Sequence, residues 1–572
     1  MLSALRARGA TSALIARAGA YARAALPALA AGVVASLFAT AIMLVLRLIF
    51  GVVTLPELVG ERILPNLDAG TFVHLLVVFG KIRPLLYTLT GQIVLGILVA
   101  PLYPILAARL APRLGAAPST PPTSFTSGPP STRWPGRAEW LAAGLIALGM
   151  WLLALALFWP VLAENLLGYG VATAQTITVV AVAGIFAAYG LALALVYAAI
   201  QPAPTPAAPP ATADASPASA PATDALPAGA AHPLARRALL ARAGIATVAG
   251  LVLGGLSLDA LLQAISARSN LAYEGMTTPA PPPAITPNAK FYVVSKNVLD
   301  PGVVLADWSL AVGGLVRRPG TFDLDSLRAL PSESRAITLE CIANGVKGHL
   351  ISNAIWRGVT LGALLAARGG IAPGAKHVLF TSADGYQSSL PLADLLEVRT
   401  LLAWEMNGQP LPTHHGFPLR AVVPGRFGEQ STKWLTRIDI VADPIKGFYQ
   451  RQGWYSGPVY TISRFDAPSG GQHLPAGQPT LAHGIAYGGA RGIRSVEVST
   501  DGGQTWNAAT LDPALSPQSW TLWRYPWIPT TPGSHALVVR ATDGTGAPQI
   551  TRDQGTVPNG GTGLHRITVV VS

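Results

Sequence analysis

The chain of 572 residues contains a single cysteine, Cys341. One thiol excludes an internal disulfide, a four-cysteine zinc site and a four-thiolate iron–sulfur cluster. Three roles remain for it: a buried core thiol, a nucleophile, or one soft ligand to a redox metal. Charge is scarce too. Asp, Glu, Lys and Arg make up 12% of the residues, about half the ~25% of an average soluble domain. Half of the chain is hydrophobic, so part of it is expected in lipid. Histidine is thin where a membrane haem would need it. Before residue 350 only His74, His232 and His349 occur, and paired-histidine haem ligation by the apolar segments is not expected.

What is present divides the chain in two. Apolar runs at 26–46, 85–106, 140–162 and 171–200 carry no charge, and each exceeds the ~18 residues that suggest a spanning helix. A fifth run, 243–265, is interrupted by Asp259; an amphipathic or core helix is the alternative there. The net charge of +12 is concentrated in this half, where 16 Lys and Arg face 8 Asp and Glu before residue 270, against 24 and 20 afterwards. Arg6, Arg8, Arg17 and Arg23 precede the first run, Arg109, Arg113, Arg133 and Arg137 follow the second, and Arg236, Arg237 and Arg242 follow the fourth. By the positive-inside rule the N-terminus is cytoplasmic and everything after the fifth run lies outside. The basic excess is then topological, and nucleic acid is not an expected partner. Segments 115–131 and 201–231 are rich in Pro, Ala, Ser and Thr and cannot bury enough apolar surface to fold.

The expected organisation is four transmembrane helices in 1–200, an Ala/Pro-rich linker at 201–232, and a fifth transmembrane helix at 233–268. From 279 to 470 short β-rich runs alternate with helical patches, which suggests an α+β domain. Residues 377–382 read as a buried strand, and Asp384-Gly385 as a turn. After residue 470 the pattern becomes all-β. Residues 493–500 alternate, Asp501-Gly502-Gly503 turns, and 536–540 and 565–571 read as strands of a β-sandwich over 471–572.

Cys341 sits in TLECIANGVKGHLISNAIWRGVTLGALL, a stretch that resembles the molybdenum-ligating segment of the sulfite oxidase family. Three further segments carry the resemblance: TPNAKFYVVSKN, LFTSADGYQSSLPL, and LLAWEMNGQPLPTHHGFPLRAVVPGRFGEQSTKWLTRI. It implies a molybdenum–molybdopterin cofactor with Cys341 as metal ligand. Asn288, Phe291, Tyr292, Ser382, His415, Arg420, Ser431, Thr432 and Lys433 fall on cofactor-contacting positions. Arginine and lysine suit the cofactor's phosphate, while hydroxyl, amide and imidazole groups suit its pterin edge. AYGGARGIRSVEVSTDGGQTW resembles the family's immunoglobulin-like C-terminal domain, and Arg491 then holds the place of an arginine that reaches a substrate anion.

The resemblance also fails in places that bear on substrate. Sulfite-oxidising members carry an arginine where Val294 stands here and a tyrosine where Ile445 stands, just before Lys446-Gly447-Phe448. The implied function is oxygen-atom transfer to or from a small sulfur or nitrogen oxide compound, by a multi-pass cell-membrane protein whose catalytic domain is extracytoplasmic. Membrane lipid, a small-molecule substrate and an electron-transfer partner are the expected partners, and the C-terminal domain allows a homodimer. Two alternatives stay open at this point: a metal-free tethered binding protein, and a cysteine hydrolase pairing Cys341 with His415. Ala235-Arg236-Arg237-Ala238-Leu239-Leu240 resembles an internal twin-arginine export signal.

Overall fold

The computed structural model describes residues 2–72, 82–114, 134–162, 171–200, 282–297 and 300–572. Helix α1 (Leu2–Phe50) is followed by α2 (Leu55–Ile63), α3 (Ile82–Val99), α4 (Leu102–Leu110), α5 (Arg137–Phe158) and α6 (Val171–Ile200). Among the described residues four stretches are long and apolar enough to cross a membrane: Ala25–Arg47, Tyr87–Leu110, Arg137–Val161 and Thr173–Ile200. The run at 243–265, the segments at 115–131 and 201–231 and the paired arginines at 236–237 lie outside the described residues. The second stretch is not one helix as its composition suggests. It breaks at Ala100-Pro101, where proline removes a backbone donor.

Small residues let these helices approach. Ala28, Ala31, Ala35 and Ala39 of α1 are buried, three or four residues apart on one face, and small residues are how apolar helices pack closely in lipid. A Cβ on Gly32 would lie 2.6 Å from the Ala100 side chain. At the end of α1 the buried Arg47 pairs with Glu57 at 3.0 Å. Glu57 also closes a capping box with Thr54, which starts α2.

The next part of the chain is a two-sheet α+β unit. Its strands are β1 (Leu310–Gly314), β2 (Gly320–Phe322), β3 (Ser332–Glu340), β4 (Ile351–Thr360), β5 (His377–Ser382), β6 (Gln387–Pro391), β7 (Leu401–Met406), β8 (Gln409–Pro410), β9 (Arg420–Val422) and β10 (Leu435–Val441). One sheet runs β2-β1-β10-β5-β6, and the other runs β3-β4-β7-β8 with β9 on β7. Three short helices, α7 (Leu324–Arg328), α8 (Leu361–Ala367) and α9 (Leu392–Glu397), cover the shared core with these sheets. Asp323 and Thr360 cap the first two by accepting from Ser326 N and Ala363 N. The short α10 (Phe448–Arg451) ends this part.

A second β unit follows. Strands β11 (Ile462–Ala467), β12 (His473–Leu474), β13 (Thr480–Tyr487), β14 (Ile493–Ser499), β15 (Asn507–Ala508), β16 (Thr510–Leu511), β17 (Thr521–Trp527), β18 (Gly533–Asp543) and β19 (His565–Val571) form sheets β11-β13-β17-β16 and β12-β19-β18-β14-β15. One core from both sheets, including Phe465, Trp523, Val498 and Leu537, makes this a sandwich. Its first strand, β11, precedes the boundary expected at 470/471. Charged residues hide that strand in the sequence: Arg464 and Asp466 are buried as an ion pair 2.9 Å apart. The sandwich braces the β3–β4 hairpin from behind. Tyr487 donates to Thr338 O at 2.9 Å, Trp520 N donates to Thr338 Oγ1 at 2.8 Å, and Arg464 donates to Gly348 O.

Candidate functional site

Cys341 follows the last residue of β3, at the head of the β3–β4 hairpin. The final five residues of β3 are buried, and each large apolar side chain held there contributes about 1.5–3 kcal/mol. Two backbone bonds fix the turn: Cys341 N donates to Leu350 O at 2.9 Å, and Asn344 N donates to Cys341 O at 2.8 Å. The thiol is buried in one apolar cluster with Phe291, Tyr292, Trp356 and Val422. Tyr292 is pinned by its own N–H donating to Ser352 Oγ. Its hydroxyl lies so close to Gly428 that a Cβ there would come within 2.5 Å. Burial, then the negative charge of Cys341, drives the Tyr292 hydroxyl well above its ordinary pKa.

The second wall is the turn 413–415 and the strand β9. His415 is buried and meets Phe291 edge-on at 5.2 Å. Gly416, at φ +112°, gives the left-handed turn that follows it. Burial, then the neighbouring His414 and Arg420, hold the His415 pKa well below its usual value, so the imidazole is neutral. Arg420 is buried, with its guanidinium 5.5 Å from the centre of the Trp356 ring. It donates only to carbonyls, Ser431 O at 3.2 Å and His415 O at 3.3 Å, and among the described residues no carboxylate neutralises it. Burial lowers its pKa to about 10, opposed by Tyr292; it stays cationic.

Ser431, Thr432 and Lys433 line up beside it. Ser431 Oγ accepts from Val423 N at 3.0 Å, leaving its O–H to donate. Among the described residues Thr432 Oγ1 is buried with no hydrogen-bond partner, and Lys433 Nζ reaches His414 O at 3.1 Å. A buried cation without an acid and an orphaned buried hydroxyl are costly unless an anion and polar edges meet them. A phosphate-bearing pterin supplies both, so this donor set fits the group.

The remaining expected residues are placed differently. The side-chain amide of Asn288 is spent on Met406 O, Gln409 and Asn407, and only its backbone carbonyl faces His415. Ser382 donates to Asp384 at 2.6 Å. The Arg491 guanidinium already has protein partners. It is bound to Asp543 at 2.6 Å, Val459 O at 3.1 Å and Thr461 Oγ1 at 3.1 Å. Sequence reading passed over two buried carboxyls, Glu340 and Glu429, each pushed by burial up to about 8. The signal for Glu340 was its position inside an otherwise apolar ITLEC run; for Glu429 there was none.

The model of the oxidoreductase molybdopterin binding domain matches residues 298–449. Sulfite oxidase of Arabidopsis thaliana is 30% identical over 274 residues, covering 40% of this chain and 70% of that protein. The chain belongs to the sulfite oxidase family. It carries that family's oxidoreductase molybdopterin binding domain, and the donor set around Cys341 fits a molybdenum–molybdopterin cofactor. Mitochondrial sulfite oxidase of Homo sapiens is 32% identical over 288 residues, covering 42% of this chain and 52% of that protein. An inducible NADH nitrate reductase of Glycine max is 31% identical over 322 residues, covering 45% and 36%. The chain thus spans about half or less of most of these relatives. The solved sulfane dehydrogenase SoxCD of Paracoccus pantotrophus is similar at 24% identity and a TM-score of 0.44, over 50% of this chain and 80% of that one.

Proposed function

We propose that this chain is a membrane-anchored molybdenum enzyme that transfers an oxygen atom to or from a small, weakly charged sulfur or nitrogen oxide compound outside the cytoplasm. The observation that carries the reading is Arg420, a buried guanidinium without an acid, in the same packed region as Cys341. When bound, the molybdenum–pterin group supplies two-electron oxygen-atom exchange with the substrate. Cys341 would hold the metal. Arg420 and Lys433 would hold the phosphate, and His415, Ser431 and Thr432 would satisfy the pterin edge. Phe291, Tyr292 and Trp356 exclude water behind them.

Substrate selection follows from the exposed side chains. Val294 and Ile445 are 42% and 41% exposed, apolar where sulfite-oxidising relatives are expected to be polar. Arg491, the remaining candidate for an oxyanion, is already neutralised by Asp543. A doubly charged anion such as sulfite finds little here, whereas a neutral sulfoxide or N-oxide loses less water on binding.

The anchor reading rests on the four apolar stretches and the arginine pattern. The contact of residues 64–72 with residues 448–454 supports one side for both. That requires an even number of crossings between residues 72 and 282, and the fifth crossing expected from the sequence makes the three described ones four. The sandwich has the two-sheet form of an immunoglobulin-like domain, which suits a homodimer.

The test is full-length protein purified from cells with an intact cofactor pathway. It should hold one molybdenum per chain and turn over dimethyl sulfoxide with a dye donor faster than it oxidises sulfite. A folded chain without molybdenum would favour the tethered binding protein, and fast sulfite oxidation would overturn the substrate class.

A further inference from the structure

The apolar-helix half does not stand apart from Cys341. Residues 64–69 are tied to the C-terminal end of α10: Ala69 N donates to Gln452 O at 3.2 Å, and the Gln452 amide donates to Leu64 O at 3.1 Å. Phe72, 5% exposed, sets its ring edge-on to Phe448 at 6.5 Å, Tyr449 at 6.0 Å and Trp454 at 6.2 Å. Glu61 forms an ion pair with Lys296, and both side chains are nearly buried.

Two chains of contact lead inward from these residues. The first is polar. Lys296 lies 3.9 Å from Asp384, and Asp384 accepts from Asn297 at 2.7 Å and from Ser382 at 2.6 Å. Glu61 is therefore linked through two side chains to a residue on an expected cofactor position. The second is aromatic. Tyr449 packs on Tyr386 at 5.8 Å, and the Tyr386 hydroxyl donates to Glu429 O at 2.5 Å. Phe427, two residues back, pairs with Glu340 beside Cys341. The negative charge of Cys341 acts behind burial to raise the Tyr449 hydroxyl pKa, in keeping with that proximity.

We propose that residues 61–72 are the outer wall of the Cys341 site, with Phe72 positioning Tyr449 and Glu61 positioning Lys296 and Asp384. The apolar-helix half then shapes the approach to the metal as well as carrying the enzyme. The proposal rests on the function proposed above. Its physical basis is that a nearly buried ion pair resists separation, because either partner alone would be left desolvated. Edge-on aromatic packing fixes ring orientation in the same way. Phe72 and Glu61 are positioning residues, since neither contacts Cys341 itself.

The experiment uses the full-length chain with its cofactor, in detergent. Glu61→Gln and Lys296→Gln should each lower stability, and the double variant should lose less than the sum of the two, as paired side chains do. Phe72→Ala should keep its molybdenum yet shift the paramagnetic resonance g values of the half-reduced centre. It should also raise KM for dimethyl sulfoxide about tenfold, with kcat changed less than about threefold. Phe72→Tyr should restore both, and Glu61→Gln should act in the same direction more weakly. Strictly additive losses at 61 and 296, or unchanged g values in Phe72→Ala, would overturn the proposal. A wild-type protein without molybdenum fails the proposed function and this wall with it, whereas molybdenum present with an unchanged Phe72→Ala spectrum overturns the wall alone.

Discussion

Arg420 in the α+β unit and Arg491 in the sandwich are both arginines expected to meet an anion, and the fold treats them in opposite ways. Arg420 is buried, bonded to carbonyls and left without an acid. Arg491 is part-exposed and locked to Asp543, whose carboxyl sits at about 2 because hydrogen bonds from Thr545 and Arg491 outweigh the upward push of burial. The carboxyls differ in parallel, for Glu340 is raised to about 8 while Asp543 is lowered. Charge that the protein neutralises itself is structure; charge it buries and leaves open marks where a ligand completes the balance.

The largest expected effect breaks this contrast at its open end. Arg420→Met should cut bound molybdenum and pterin at least about tenfold, since charge-assisted bonds to a phosphate are worth roughly 1.5–3 kcal/mol. Arg491→Met should leave metal and pterin content unchanged. Metal analysis of the two variants side by side decides it, and equal losses would erase the distinction.

The carboxyl contrast gives a second, smaller effect. Folded Glu340 keeps its proton up to about 8, while the unfolded chain releases it near the ordinary glutamate value of about 4.3. The unfolded state therefore binds fewer protons between those values. Stability is fully present below that window and falls as pH rises through it, by on the order of a few kcal/mol. Glu340→Gln, which keeps the acceptor for Asn344 Nδ2, should flatten the fall in denaturant melts at pH 5 and pH 8. An unchanged slope would mean another group carries it.

Much of this was legible in the chain. The apolar runs at 26–46, 140–162 and 171–200 anticipated long helices while the one at 85–106 missed its break at Ala100-Pro101, and 377–382 and 493–500 anticipated β5 and β14, because alternation and apolar run length are local signals. The segment around Cys341 marked the cofactor side for the same reason: its residues are close in sequence and act together. The features that escaped are non-local or counter to pattern. The strand β11 hides behind a buried Arg464–Asp466 pair. The neutralisation of Arg491 depends on Asp543, 52 residues away. Phe72 meets Tyr449 and Trp454 across most of the chain, and no spacing rule reports such a contact.

The smallest effect tests the closed end. Arg491→Met should lower stability by about 1–2 kcal/mol, by stranding the buried Asp543 carboxylate, while its Thr545 and Ala547 donors remain. A larger loss together with lost cofactor would show that the sandwich contributes to the site after all.

Everything proposed for the site depends on Cys341 supplying a thiolate ligand to molybdenum. X-ray absorption at the molybdenum edge of Cys341→Ser, compared with wild type, tests it most directly. The variant should still fold and show one sulfur neighbour fewer, with activity abolished. An unchanged sulfur count with full metal content would contradict it.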